Sequence, residues 1–250
     1  MAIGHTLIGH GPRRVIALHG WFGSATGWGD LPALIDPDRF QYAFMDYRGY
    51  GSRRNEAGAY TMAEIAADAL ALADELGWSM FSLVGHSMGG MAVQRVYADA
   101  PQRVERMVGI SPVPAGGVPF DEAGWALFDG AAADDEHRRQ ILDLTTGNRL
   151  SDHWLRQMAA GSVAASTREA FGTYLTAWAK SDFAKEVLDA PVPALAIVGE
   201  HDPALGAEAM RGTWLQHYPH GELEILANAG HYAMYETPVR LATVLERFLG

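Results

Sequence analysis

The chain contains no cysteine among its 250 residues. That absence excludes a disulfide framework, a thiolate zinc site and a cysteine nucleophile. Basic residues are few, because 19 Lys and Arg stand against 30 Asp and Glu, a net charge of -11. Nucleic acids and anionic membranes attract basic patches, so neither is expected as a partner. No apolar run approaches the roughly 18 to 20 residues of a membrane span, and no signal peptide is evident. These absences predict a soluble, cytoplasmic protein.

Short apolar runs alternate with amphipathic helical patterns along most of the chain. This alternation is typical of an α/β fold, a mostly parallel sheet with helices on both faces. A length of 250 residues lies at the upper end for a single domain. Residues 6–8 are expected to add one antiparallel edge strand. The predicted strands are 15–18, 42–45, 80–84, 104–110, 194–198 and 223–226, and the predicted helices are 62–76, 88–99, 205–216 and 238–249.

The alternation breaks between Ser111 and about Asp189. This segment has no good strand pattern, opens with a loop rich in proline and glycine, and then turns helical. An all-helical insertion between two strands predicts a cap over one end of the sheet. We therefore expect residues 1–111 and 190–250 to form the α/β core and residues 112–189 to form a helical cap.

The most informative motif is the sequence GHSMGG at residues 85–90, which directly follows an apolar run. A G-x-S-x-G between a strand and a helix is a nucleophile elbow, a sharp turn that exposes the serine hydroxyl above the sheet. Glycines at such a turn let the strand and helix backbones approach closely. The motif predicts that Ser87 is the nucleophile of a serine hydrolase.

A serine hydroxyl is a weak nucleophile near neutral pH, so it needs a base and an acid that orients the base. Asp202 follows one predicted strand, with Glu200 as the competing acid, and His231 follows the last strand. A nucleophile, then an acid, then a histidine is the chain order of serine hydrolases with an elbow. His86 and His201 are interpreted as structural histidines.

The developing oxyanion requires hydrogen-bond donors. One predicted donor is the backbone N–H of Met88, the residue after the nucleophile. The second is expected from the loop after the first buried strand, where Trp21 is preferred and Phe22 is the alternative. His19 in the same loop is interpreted as structural.

The predicted cap is rich in aromatic residues at helical spacings, including Phe171. Such stripes more often pack one element onto another than bind a ligand, but pockets are mainly apolar, so some should face the site. No phosphate-binding loop or metal-ligand cluster is apparent, so we expect no metal, no cofactor and a small hydrophobic substrate. The candidate substrate-binding residues are Phe22, Trp125, Phe128, Trp154, Tyr174 and Trp178.

Together these motifs resemble the α/β-hydrolase fold superfamily, in its compact, cap-bearing form. The resemblance rests on residues 19–20, 46–52, 85–90, 199–202 and 230–231, and so spans most of the chain outside the cap. It implies that Asp202, rather than Glu200, is the acid of the triad. It also implies that Arg48 ties neighbouring loops together and is not catalytic.

Ser87 stands where haloalkane dehalogenases and epoxide hydrolases of this superfamily carry aspartate, which argues against both activities. The leading hypothesis is hydrolysis of a small, largely hydrophobic carboxylic ester or lactone through an acyl-serine intermediate. A carbon–carbon bond hydrolase is an alternative, although the loop at residues 19–22 lacks the His-Gly-Gly-Gly pattern common in that group. A cofactor-free perhydrolase would use the same triad. The non-enzymatic alternative is a ligand-sensing receptor, because certain plant hormone receptors resemble this fold.

Overall fold

The computed structural model describes residues 3–250 and contains one seven-stranded sheet. Strand β1 pairs antiparallel with β3, and all other neighbouring strands are parallel. The sheet order is β1-β3-β2-β4-β5-β6-β7. This confirms the predicted α/β class and the antiparallel edge strand. The strands are β1 (His5–Gly9), β2 (Arg13–Leu18), β3 (Phe40–Met45), β4 (Phe81–His86), β5 (Val104–Ile110), β6 (Ala194–Gly199) and β7 (Gly221–Leu226).

The central strands are buried on both faces. Every residue of β4 and of β6 is buried, whereas the edge strands β1 and β7 carry exposed residues. A parallel sheet covered on both faces has continuous apolar strands and no alternation. The carboxyl ends of its parallel strands meet at one edge, where ligand sites of such sheets gather.

The helices outside the long β5–β6 connection largely match the sequence pattern. The predicted single helix at 205–216 is wrong, because the backbone at Thr213 (φ -131°, ψ -78°) separates two short helices. The other predicted helices have nearly the bounds that the sequence predicts, and the two short helices at residues 31–34 and 233–236 were not predicted. The helices are α1 (Leu31–Leu34), α2 (Met62–Glu75), α3 (Met88–Asp99), α9 (Ala207–Gly212), α10 (Trp214–His217), α11 (Ala233–Glu236) and α12 (Pro238–Leu249).

Five helices fill the connection between β5 and β6, which we call the helical insertion (residues 111–193). Its backbone is tied to the core by hydrogen bonds, including Thr167 N–H to Gly49 O at 2.9 Å and His231 N–H to Thr145 O at 3.1 Å. Among residues 3–250, no helix has the length and apolarity required to cross a membrane. The helices are α4 (Glu122–Gly130), α5 (Asp135–Thr145), α6 (Asp152–Ala165), α7 (Arg168–Lys180) and α8 (Ala184–Val187).

Candidate active site

Ser87 sits in the turn between β4 and α3 with a strained backbone (φ 55°, ψ -117°). The Ser87 N–H donates to Ile110 O at 2.9 Å, and the Ser87 carbonyl accepts from Gly90 N–H at 2.8 Å and Val113 N–H at 3.0 Å. A positive φ at a residue with a side chain persists only where the surroundings hold it in place. These three hydrogen bonds provide that hold, so the turn has the geometry of a nucleophile elbow.

Two glycines around Ser87 are required by close backbone contacts. A Cβ on Gly85 would collide with the carbonyl of Gly89, and a Cβ on Gly89 would collide with the carbonyl of Leu18. Glycine removes the atom that would hold these segments apart. The elbow is therefore packed directly against the end of β2, which leads into the loop with the predicted oxyanion donor.

Asp202 and His231 form a buried pair, with Asp202 Oδ2 2.7 Å from His231 Nδ1. The other carboxylate oxygen accepts from the N–H groups of Ala204 and Leu205, both at 3.0 Å. Burial opposes ionisation of Asp202, but the His231 interaction and the two N–H donors outweigh it and hold the pKa of Asp202 below its usual range. Because an ionised carboxylate only accepts hydrogen bonds, Nδ1 carries the proton and Nε2 is left free to act as a base.

Glu200, the competing acid, lies elsewhere. Its carboxylate is exposed, accepts from Asn228 N–H at 3.2 Å and lies 3.6 Å from the ring of His201. The structure thus pairs His231 with Asp202 and not with Glu200.

Ser87 and His231 line one small cavity of about 70 Å³. The cavity wall also includes three of the predicted aromatic residues, Phe22, Phe128 and Trp178. Sequence reasoning missed most of the other lining residues, because isolated apolar residues in loops and helices carry no signal for a pocket. The missed residues are Val113, Val118, Phe120, Ile141, Thr145, Ala204, Leu205 and Tyr232.

Two predicted substrate-binding residues, Tyr174 and Trp125, lie outside the lining of this cavity, and a role for them in binding stays a prediction. Tyr174 is fully buried and packs among the rings of Tyr50 (5.7 Å) and Tyr60 (5.5 Å). Trp125 packs near Phe120 and lies 3.9 Å from the Lys180 ammonium. Helical spacing groups such residues on one face but does not state what that face meets.

Two other aromatic candidates, Trp154 and Phe171, also lie outside the lining of this cavity. Trp154 lines a separate, larger groove. Phe171 packs against the loop after β2, where its ring stacks on Trp21 at 4.0 Å and its carbonyl accepts from the Trp21 indole at 2.7 Å.

The backbone N–H groups of Trp21, Phe22 and Met88 donate to no acceptor within residues 3–250. Trp21 lines the cavity beside Ser87, and its carbonyl is held by the hydroxyl of Tyr50 at 2.9 Å. Met88 opens α3 directly after Ser87. The pairing of Trp21 with Met88 as oxyanion donors stays a prediction, with Phe22 as the alternative.

The two histidines beside the site are buried, and a ring nitrogen of each lies within hydrogen-bond distance of a backbone carbonyl oxygen. His86 Nε2 lies 2.9 Å from His231 O, and burial lowers the pKa of His86 to about 3. His19 Nδ1 lies 2.8 Å from Gly20 O, and burial lowers the pKa of His19 to about 4. Neutral imidazoles in these positions are consistent with the structural role inferred from the sequence.

Arg48 spans the turn after β3 and helix α2. Its guanidinium donates to both oxygens of Asp68, at 3.0 and 3.1 Å, and Arg53 donates to the same carboxylate at 2.8 Å. The side chain therefore connects two segments away from Ser87, as the resemblance implies.

The chain is similar to several known proteins over nearly its whole length. The chain is 26% identical to pimeloyl-[acyl-carrier protein] methyl ester esterase of Serratia marcescens, over 97% of this chain and 96% of the relative. It is 25% identical to 2-hydroxy-6-oxononadienedioate/2-hydroxy-6-oxononatrienedioate hydrolase of Paraburkholderia phymatum, over 97% of this chain and 88% of the relative. An equally similar acetyltransferase component of the acetoin cleaving system of Cupriavidus necator is longer, and the chain spans 65% of it.

Among solved structures, a hydrolase from Oleispira antarctica superposes with a TM-score of 0.87 at 18% identity, covering 99% of this chain and 94% of that one. At this identity the likeness concerns the fold alone. The model of the alpha/beta hydrolase fold family matches residues 13–238, which include the elbow, Asp202 and His231. The chain therefore belongs to the alpha/beta hydrolase fold family.

Proposed function

We propose that this protein is a serine hydrolase that cleaves a small, largely hydrophobic carboxylic ester or lactone through an acyl-serine intermediate. The observation that carries the proposal is the placement of Ser87 and His231 in one cavity, with Asp202 hydrogen bonded to His231 at 2.7 Å. A nucleophile, a base and an orienting acid are the groups that acyl transfer to serine requires.

In the proposed reaction, His231 Nε2 takes the Ser87 proton while the serine oxygen attacks the substrate carbonyl. The N–H groups of Met88 and Trp21 stabilise the oxyanion that forms. The intermediate collapses when the bond to the leaving oxygen breaks and His231 returns the proton to the alcohol. Water then attacks the acyl-serine with His231 again as the base, which releases the acid and restores Ser87.

The cavity supports a small, uncharged substrate group. Its lining contains no Asp, Glu, Lys or Arg in the part of the chain that the structure describes. An unpaired charge would be costly to bury there. Its volume of about 70 Å³ is well below the roughly 300 Å³ at which pockets for drug-sized ligands begin. We propose that the helical insertion acts as the cap that encloses this space.

The Serratia marcescens relative, a methyl ester esterase, supports ester hydrolysis. The Paraburkholderia phymatum relative is the observation that favours a carbon–carbon bond hydrolase as second candidate. Its substrate name specifies two carboxylates, for which the cavity offers no Lys or Arg partner. The ester reading is therefore preferred. A perhydrolase and a ligand-sensing receptor stay alternative functions. The cytoplasmic location stays a prediction.

Mass spectrometry after incubation with a small fluorophosphonate tests the proposal directly. A single adduct on Ser87, absent from Ser87→Ala, is expected, together with hydrolysis of simple esters that falls on the order of a millionfold in the variant. Folded protein without an adduct would contradict the proposal and favour ligand sensing. An adduct accompanied by slow ester turnover but fast cleavage of a vinylogous diketone would instead favour carbon–carbon bond hydrolysis.

A further inference from the structure

A second, larger groove of about 600 Å³ lies beside the Ser87 cavity. Three side chains, Phe22, His86 and Tyr232, line both spaces. Ser87 and His231 line only the smaller one. The two spaces are therefore neighbours, and these three side chains form the boundary between them.

The groove has the chemistry of a site for an uncharged ligand. Its walls are the loop after β2, helix α6 and the segment after His231, and they include no Asp, Glu, Lys or Arg among the described residues. Trp154, Met158 and Tyr235 provide apolar surface, while Thr26 and Gln157 provide hydrogen-bonding groups. Mainly apolar walls with a few polar groups are typical of small-molecule sites, whose usual range of about 300–1,000 Å³ includes this volume.

Helix α6 lines the groove with small residues at its C-terminal end, which leave space beside the larger Trp154 and Met158. Gly161, Ala164 and Ala165 face the groove, and a Cβ on Gly161 would meet no atom within 4 Å. On the opposite side, the ring of Tyr232 lies 5.3 Å from that of His86 and 6.1 Å from that of Trp154.

The two halves of an ester place different demands on these spaces. The acyl group stays bound to Ser87 until water has attacked, whereas the alcohol must leave before water can enter. The smaller cavity of about 70 Å³ suits a short acyl group, and the larger groove of about 600 Å³ suits the departing alcohol.

We propose that this groove is the subsite for the alcohol portion of the substrate, so that only the acid portion of the proposed ester is small, and the alcohol is larger, uncharged and mostly apolar. This inference rests on the proposed esterase function. It predicts that filling the groove reduces turnover of esters with large alcohols and spares esters with small ones.

The variant Gly161→Phe tests the proposed alcohol subsite, because the new ring would occupy the groove without a clash at Cβ. Ala160→Phe is the matched control, since Ala160 lies on the same helix, is exposed and does not line the groove. The substrates are ethyl acetate, 1-naphthyl acetate (large alcohol) and ethyl 1-naphthoate (large acyl group). Each kcat/KM is compared with that of the unmodified protein on the same substrate.

In Gly161→Phe, kcat/KM for 1-naphthyl acetate is expected to fall at least about tenfold, the smaller effect of a mismatch in an apolar pocket. Ethyl acetate should be unaffected, and Ala160→Phe should leave both rates unchanged. A selective loss with ethyl 1-naphthoate, an equal loss with both acetates, or no loss at all would overturn the inference.

Fluorophosphonate labelling distinguishes failure of the alcohol subsite from failure of the esterase function. Labelling of Ser87 at equal rates in both variants and the unmodified protein shows that each is folded with an intact nucleophile, so that a failed selectivity test overturns the alcohol subsite alone. Absence of labelling in the unmodified protein overturns the esterase proposal, and the subsite with it.

Discussion

The Glu236 carboxylate holds the backbone on both sides of His231. It accepts hydrogen bonds from the N–H of Gly230 at 2.8 Å and from the N–H of Tyr232 at 3.1 Å. Arg149, from the helical insertion, lies 3.1 Å from the same carboxylate, whose side chain is only 3% exposed. The loop that carries the proposed base is thus fixed by an acid from α11 and by a cation from the insertion.

Glu236→Gln should weaken this arrangement, because an amide nitrogen replaces one acceptor and faces a backbone donor. A buried donor left unsatisfied costs about 1–3 kcal/mol, so the free energy of unfolding in urea should fall by that amount. We also expect a lower kcat with little change in KM, since His231 loses alignment. Glu200→Gln is the control, because Glu200 is exposed. Equal stability of both variants would contradict the role of Glu236.

Asp202→Asn should leave the fold intact and abolish most activity. The amide cannot stabilise a protonated His231, and it favours the tautomer in which Nδ1 lacks the proton. By analogy with serine proteases, the loss in kcat should be on the order of 10⁴. The measurement is steady-state ester hydrolysis, beside a circular dichroism spectrum. A fall of less than about tenfold would show that Asp202 is not the orienting acid.

Ser87→Gly should be more stable than Ser87→Ala. Both variants lose the hydroxyl, but only glycine relaxes the backbone at φ 55°. Strain at such a residue costs about 1–3 kcal/mol, which exceeds the roughly 0.5–1 kcal/mol that glycine's flexibility costs. Urea midpoints of the two inactive variants measure the difference. A less stable glycine variant would mean that the elbow is not strained.

Stability should decline in mild acid because of His19 and His86. Burial lowers their pKa values to about 4 and about 3, against 6.5 ordinarily. Between pH 6.5 and about 4 the unfolded chain binds protons on both residues that the folded chain does not, so the folded state loses stability as the pH falls. Each histidine contributes a slope of up to about 1.4 kcal/mol per pH unit.

Urea unfolding between pH 4.5 and 7.5 measures this dependence. In His86→Gln, which cannot take up a proton, the slope should decrease by about one proton. His220→Gln is the control, because His220 is exposed and should leave the slope unchanged. An identical slope in His86→Gln and the unmodified protein would contradict the prediction.

Much of this protein could be predicted from local pattern alone. Strand β5 and helices α3 and α12 have the predicted bounds, because buried parallel strands and amphipathic helices each impose a periodicity on the residues. The elbow could be recognised because its backbone contacts leave no room for a Cβ at Gly85 and Gly89. Asp202 and His231 could be placed at strand ends, where parallel topology brings loops together.

The remaining features depend on distances between residues remote in the chain. The division of aromatic residues between cavity, groove and core follows from how α4, α6 and α7 are turned toward the core loops, and periodicity does not specify that rotation. The contact between Arg149 and Glu236, which fixes the loop around His231, joins residues 87 apart in sequence. No sequence motif marks such a contact. The sequence by itself determined the fold class and the chemistry proposed at Ser87. Only the tertiary structure decided the size and walls of the space around it, because these depend on how separate segments pack.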